Sequence, residues 1–380
     1  INDPDFETGD DRGFGGKAMT YYGRWTYKYE EAARQQAAGA IIIHNTERAA
    51  YGWQVVRNSW SSEQAYLENP PGKYILPMAG WITEDIARKM FTAAGMNLED
   101  MVKKAGTAGF RPVDLPLKIQ AHLLAKVRPL HAQNVVGILE GSDPKLKSEA
   151  VLFTAHYDHL GVGTAVNGDN IYNGAVDNAS GTAFLIELAR VLASSPTRPK
   201  RSMIFLSVTA EERGLRGSEY FGMHPSIPTS QLMLDLNFDA IDVHGETDDI
   251  AVSGAERTSL WPQVQALAKS LNLTIAPDSH PEAGHYYRSD HFSLARVGVP
   301  AFSVDLGDSF RGKPKEYGEG LYQDYLKNHY HQPSDQYDPS WELTGTKELA
   351  QFAIYLGWQV ANDSAKTGWQ PGDEFEKARK

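Results

Sequence analysis

Short apolar runs alternate with helix-favouring stretches along most of this chain, and the spacing of the runs changes partway through it. Near the start, KAMTYYGRWTYKYEEAARQQAAGAIIIHN (17–45) predicts strand, helix, strand. Glu30 to Ala38 is rich in Ala, Glu and Gln, Gly39 stops the helix, and Ala40–Ile43 is a short buried strand. Tyr74 to Ile82 reads as another strand, followed by a helix with Thr83 as N-cap, Glu84 and Asp85 in its first turn, and Gly95 past its end. Between them, Tyr51 to Gly72 has no clean period and is expected to be loop.

The stretch GTAGFRPVDLP (106–116) marks a boundary. Beyond it, Asn134–Leu139, Ala150–Ala155, Arg201–Thr209 and Met233–Ile241 read as buried strands. Thr182–Ala193, Trp261–Leu271 and Leu343–Val360 read as helices. This alternation predicts an α/β fold, a mixed but mostly parallel sheet with helices on both faces. Functional groups in such sheets gather at the carboxyl ends of strands.

The 380 residues are enough for two domains and a large core. A net charge of −11 argues against nucleic acid and anionic membrane as main partners, since both favour basic surfaces. No apolar run approaches the ~20 residues of a membrane span. With no cysteine, thiolate ligands and nucleophiles are excluded, and any metal must be held by His and carboxylate. The chain opens on Ile1 rather than Met and shows no signal peptide, so processing or truncation is expected to have removed what preceded it.

Five segments carry candidate chemistry: TAHYDHLG (154–161), NGAVDNASG (173–181), VTAEERG (208–214), LNFDAID (236–242) and YHQPSDQ (330–336). His156 and Asp158 form an H-x-D pair after a strand, where one residue can bind metal while the other orients it. His159 is read as a loop residue. Asp177, in a tight turn before a helix, can offer both carboxylate oxygens to two cations. Glu211 and Glu212 end an apolar strand, where adjacent carboxylates are costly unless a positive charge is near. The natural division is one ligand and one general base. Asp239 lies within the apolar run Leu234–Ile241 and wants a cation or several hydrogen bonds. His331 precedes Pro333, with His329 as a rival ligand and Asp335 as a possible orienting or capping group. Taken singly, each segment also reads as ordinary structure: strand-end polar residues, a turn with a helix cap, a solvated acidic pair, a core Asp, a surface His. Their joint occurrence argues for a metal-dependent hydrolase. With only nitrogen and oxygen donors, Zn²⁺ is the best metal, and Co²⁺ or Mn²⁺ can substitute. A paired site would hold ions ~3.5–4 Å apart and bring the pKa of a bound water to about 7.

The ordered set HYDHLG, GAVDNASG, TAEERGLRGSEYF, NFDAI and YHQPSDQ resembles the M28 family of zinc peptidases, over roughly Leu117 to the C-terminus. The resemblance implies two Zn²⁺ ions. His156 and Asp239 would bind one, Glu212 and His331 the other, and Asp177 would bridge. Glu211 would be the catalytic base, Tyr330 would steady the oxyanion, and Asp158 and Asn178 would support the ligands. A cis Asp177–Asn178 peptide bond is expected from the same likeness. Ser289, Asp290 and His291, in RSDHFSLARVGVPAFSVD (288–305), would lie on the substrate side. The strands AAGAIIIHN and ILPMAGWIT resemble those of a protease-associated (PA) domain, giving 1–115 as a PA domain that lacks upstream residues and 116–380 as the peptidase.

The implied activity is release of N-terminal residues from peptides by a metallo-aminopeptidase, exported to the periplasm or beyond. The alternatives are a carboxypeptidase or dipeptidase, a glutaminyl cyclase of the same fold with one zinc, and a non-catalytic receptor-like scaffold. The carboxypeptidase reading needs a basic pocket, for which Arg213, Arg216, Arg288 and Arg311 are candidates. A scaffold would be expected to lose ligands, and this chain keeps all five.

Overall fold

The computed structural model describes residues 2–6, 13–68 and 73–379. Ile1, where the sequence suggested removal of an upstream stretch, lies outside them. Contacts divide the chain into two units. One comprises residues 1–56, 68–131 and 280–287, the other residues 57–67, 132–279 and 288–380. The sequence boundary near residue 115 is therefore crossed twice, because residues 57–67 group with the later part of the chain and 280–287 with the earlier part.

In the first unit, strands β1 (Ala40–His44) and β2 (Ala79–Thr83) pair in parallel. The helix Trp25–Arg34 precedes β1, starting earlier than the Ala/Glu-rich stretch implied. The helix Glu84–Ala93 follows Thr83, with Glu84 and Asp85 in its first turn where the helix dipole favours them. Gly95 lies just beyond it at φ +72°. The segment expected to be loop contains a helix, Trp53–Trp60. Its Ser and Asn residues are weak helix formers. Burial of Val55, Val56 and Ser59 at helical spacing outweighs that propensity.

The second unit is built on a five-stranded sheet. Its strands are β3 (Val135–Leu139), β4 (Ala150–His156), then, after the hairpin β5 (Gly161–Val166) and β6 (Asp169–Tyr172), β7 (Ser202–Val208) and β8 (Leu232–Asn237). Two short strands, β9 (Asp249–Ala251) and β10 (Thr274–Ile275), precede the fifth, β11 (Ala301–Ser303). The order is β11-β8-β4-β7-β3, parallel except for β3, which runs antiparallel to β7. Central β4 is buried at every position, as a strand covered on both faces must be. Its Val151, Phe153 and Ala155 share a core with Phe205, Phe238 and the helices Gly181–Ala193 and Thr344–Asn362. Phe153 stacks on Phe205 with ring centres 5.4 Å apart. Leu152, Thr154 and His156 alternate toward the other face. Strand β3 departs from expectation: Val135 and Ile138 are 62% and 60% exposed rather than buried. It is the edge strand, with a partner on one side only.

Three parallel strands bring the candidate residues to one edge of the sheet. β4 ends on His156, β7 ends three residues before Glu211, and β8 ends two residues before Asp239. Asp239 is thus outside the strand the sequence placed it in. Among the described residues no helix is long and apolar enough to cross a membrane.

Candidate metal centre

The chain bends sharply where the side chains converge. Ala210, Ala240 and His331 all adopt left-handed backbone (φ +55°, +55° and +56°), which costs a non-glycine residue roughly 1 kcal/mol or more and persists where the surroundings over-determine it. These bends sit just before Glu211, just after Asp239, and on His331 itself. The turn carrying Asp177 is equally constrained. A Cβ on Gly181 would lie 2.3 Å from Asn178 Oδ1 and 2.5 Å from the Phe238 carbonyl, so only glycine allows this approach. The Asp177–Asn178 peptide bond is cis.

Asp177 stands between two histidines. Its Oδ1 is 3.3 Å from His156 Nε2, and its Oδ2 is 3.4 Å from His331 Nε2. His156 Nε2 is also 2.9 Å from Asp239 Oδ1, while His331 Nε2 is 3.2 Å from Glu212 Oε2. The five residues named from sequence therefore meet in two donor groups that share one carboxylate.

Burial disfavours charge on His156, but the neighbouring carboxylates of Asp239 and Glu211 outweigh it and raise its pKa well above the usual value. Burial likewise works against ionised Asp177. Its hydrogen bonds with His156 and His331 prevail and hold its carboxyl well below the carboxylate range. Burial raises the Glu211 carboxyl well above the usual range; the charge of His156 opposes the rise but is outweighed, and the charges of Glu212 and Asp239 add to it. Four acidic side chains in one enclosed place create a demand for positive charge.

The supporting groups differ in part from expectation. His156 Nδ1 is satisfied by the backbone carbonyl of Asp158 at 3.0 Å, whereas the Asp158 carboxylate is 3.9 Å away and accepts the Glu211 backbone N–H at 3.1 Å. Asn178 donates to the Phe238 carbonyl and accepts from the backbone of Gly181 and Ala240. It thereby ties the turn holding Asp177 to the loop holding Asp239. Asp335 does not reach His331; its two oxygens accept the backbone N–H groups of Val176 and Asp177 at 2.8 and 3.0 Å. Ser289 donates to Asp239 Oδ2 at 2.5 Å and accepts from Asn237. Asp290 is fully buried, which pushes its carboxyl up to about 7. His291 is buried at the start of the helix His291–Ala295. The Tyr330 ring lies 4.0 Å from that of His331, and burial raises its phenol well above the usual value. The rival His329 faces away, toward the Ser334 carbonyl and Asp324.

His159 was missed. It lies in the loop after β4, as expected, but its side chain is only 6% exposed, with Nδ1 2.6 Å from Glu212 Oε1 and its ring edge-on to His331. Burial opposes its protonation, but the Glu212 carboxylate raises its pKa to about 9. Among the described residues, two sets of three have ligand atoms within 4.8 Å of one another and could hold a metal ion: His156 with Asp177 and Asp239, and His159 with Asp177 and Glu212. The only signal for His159 was its place in HYDHLG, three residues after His156. Ser59, whose Oγ is 2.6 Å from His331 Nδ1, was also missed, because its helix was read as loop. The donor set, imidazole and carboxylate without sulfur, fits zinc.

A mostly parallel α/β sheet with a His and carboxylate cluster at its carboxyl edge defines the class: an α/β protein built around a metal centre. The chain belongs to peptidase family M28, whose family model matches residues 134–355, more than half of its length. Aminopeptidase YwaD of Bacillus subtilis is 28% identical over 297 residues, 77% of this chain and 53% of that protein. A probable zinc metalloprotease of Pyricularia oryzae is 35% identical over 138 residues, 36% of this chain and 26% of that one. The chain thus spans about half or less of the length of these curated relatives. Among solved structures, an aminopeptidase from Aneurinibacillus sp. strain AM-1 aligns with a TM-score of 0.49 and 20% identity, covering 92% of this chain and 69% of that one.

Proposed function

We propose that this chain is a dinuclear zinc aminopeptidase. The observation that carries the reading is Asp177, whose two oxygens each face a different histidine, each histidine being paired with a further carboxylate. His156 and Asp239 would hold one Zn²⁺, Glu212 and His331 the other, with Asp177 shared; Co²⁺ or Mn²⁺ could replace zinc. Zinc bound there would supply a water acidified to a pKa of about 7 and would polarise the scissile carbonyl.

The remaining chemistry falls to the side chains. Glu211, with its backbone N–H fixed by Asp158, takes the proton of the attacking water as the new C–O bond forms. It then passes that proton to the departing amine nitrogen as the C–N bond breaks. A glutamate whose carboxyl is already raised is suited to both transfers. Tyr330, kept protonated by burial, would donate its O–H to the developing oxyanion. Ser289 holds Asp239 in place on the side where Asp290 and His291 lie.

The carboxypeptidase alternative needs free guanidinium groups. Arg213 is engaged with Ser59 and Ser62, Arg216 with Glu219, and Arg311 with Glu246, Asp248 and Glu348. These three guanidinium groups are engaged within the protein, whereas Arg288 acts electrostatically on Tyr330 and is the candidate of the four that keeps the carboxypeptidase reading open. The deciding experiment is a panel of aminoacyl anilides with and without chelator, alongside N-blocked and C-blocked dipeptides. Chelator-sensitive cleavage that is abolished by N-blocking supports the reading; cleavage only of N-blocked substrates would overturn it, and glutamine cyclisation without hydrolysis would point to a cyclase.

Residues 1–115 are further read as a PA domain, supported by the parallel pair β1 and β2 with adjoining helices. Heating with and without chelator should then show one unfolding transition that chelator leaves unmoved beside one that it lowers; a single transition moved as a whole would count against an appended domain. Export is the corresponding proposal for location, tested by fractionating producing cells.

A further inference from the structure

The two metal-site histidines obtain their orientation from different places. The partner of His156 Nδ1 is two residues along the chain, in the same loop. The partner of His331 Nδ1 is Ser59 Oγ, 272 positions away, in a segment outside the matched family region. That segment, residues 57–67, groups by contact with the sheet-bearing unit although both its flanks group with the other.

Four contacts fasten this strap around one side of the centre. Ser59, 1% exposed, meets His331 Nδ1 at 2.6 Å. Asn58, 6% exposed, donates from Nδ2 to the His331 carbonyl at 3.0 Å, holding the residue in its left-handed conformation. Arg213, next to Glu212 in sequence, donates to the Ser59 carbonyl at 2.8 Å and to Ser62 Oγ at 3.2 Å. Within the strap itself, Gln64 donates to the same Ser59 carbonyl at 3.0 Å. The strap therefore grips His331 directly and reaches Glu212 through its chain neighbour Arg213.

We infer that Asn58 and Ser59 are positioning residues for His331, and that the strap 57–67 sets how tightly the ion between His331, Glu212 and Asp177 is held. The chemistry follows from imidazole. For Nε2 to present a lone pair toward Asp177 and Glu212, the ring proton must sit on Nδ1, and an acceptor there selects that tautomer and fixes the ring plane. Ser59 Oγ is that acceptor. Residues 58 and 59, at the end of the helix Trp53–Trp60, then act on the metal centre. The inference rests on the dinuclear reading above.

Ser59→Thr and Ser59→Val test it, because the two side chains share a shape and differ in the hydroxyl. The full chain, freed of metal, is titrated with Zn²⁺ against a competing chelator and with Co²⁺ by its visible absorption. Wild type and Ser59→Thr are expected to bind two ions alike. Ser59→Val is expected to bind one ion about 10–100-fold more weakly while the other is unchanged, the usual cost of losing a ligand's outer partner. The melting temperature of the metal-free Val and Thr variants should agree. Equal binding by Val and Thr would overturn the inference and leave the dinuclear reading standing, as would equal weakening of both ions. A wild-type chain that binds fewer than two ions would overturn both.

Discussion

His156 and His331 serve one cluster, yet they are held by different kinds of structure. His156 ends a fully buried central strand, with neighbours paired on both sides and its Nδ1 satisfied within its own loop. His331 sits in a strained turn, fastened by Asn58 and Ser59 from far away in the chain. The sheet half is rigid by default, because moving His156 would break the ladders of β4. The loop half is rigid only while its remote contacts last. On the two-metal reading proposed above, the site would combine a position set by the fold with one set by specific side chains, and the second is where sequence change would tune metal affinity.

The largest effect expected concerns Glu211, the proposed base. Glu211→Gln should lower turnover by about 10²–10⁴-fold while elemental analysis still finds the wild-type zinc content. Near-normal turnover would remove Glu211 from its role. Next comes the shared carboxylate. Asp177→Asn should weaken both ions by more than about 100-fold, exceeding the usual loss for an outer partner, whereas His156→Ala and His331→Ala should each lose one ion first. If removal of either histidine emptied both positions together, the contrast between the halves would be lost.

A finer distinction lies at Asp158. Its carbonyl supports His156 and its carboxylate supports the Glu211 backbone, so Asp158→Ala should retain both ions but lose about tenfold in turnover, the worth of one hydrogen bond. Loss of zinc instead would show that the carboxylate acts on His156 after all. The smallest effect is a pH dependence. Asp290, with its carboxyl raised to about 7, keeps its proton in the folded chain where the unfolded chain, near its ordinary value of about 4, releases it. Stability of the metal-free protein should therefore fall as pH rises from about 4 to 7, by at most about 1.4 kcal/mol per unit. Denaturant unfolding of Asp290→Asn across that window should show a flatter profile; an unchanged slope would assign it to other groups.

Much of the sheet-bearing unit was legible in residue order. Strands β4 and β7 and the helices Gly181–Ala193, Trp261–Ser270 and Thr344–Asn362 follow their apolar runs closely, whereas β8 stops at Asn237, four residues before its run does. The exposure of β3 was not legible, because an apolar run does not say whether a strand is central or at an edge. The helix Trp53–Trp60 was hidden by residues of low helix propensity, although the spacing of Val55, Val56 and Ser59 carried its signal. His159 and Asp335 lay inside noticed motifs, yet which atom each would meet depended on how distant loops fold back. Asp335 was expected near His331 and binds the backbone of Val176 and Asp177 instead.

The sequence by itself determined the α/β alternation, the absence of sulfur ligands, and the set His156, Asp177, Glu211, Glu212, Asp239 and His331, because periodicity and residue chemistry are local properties. The tertiary structure decided that Asp177 faces both histidines, that Asp239 lies beyond its strand, that His159 reaches Glu212, and that Ser59 meets His331. Those are matters of distance between segments remote in the chain, settled by packing and hydrogen-bond satisfaction rather than by any residue's neighbours.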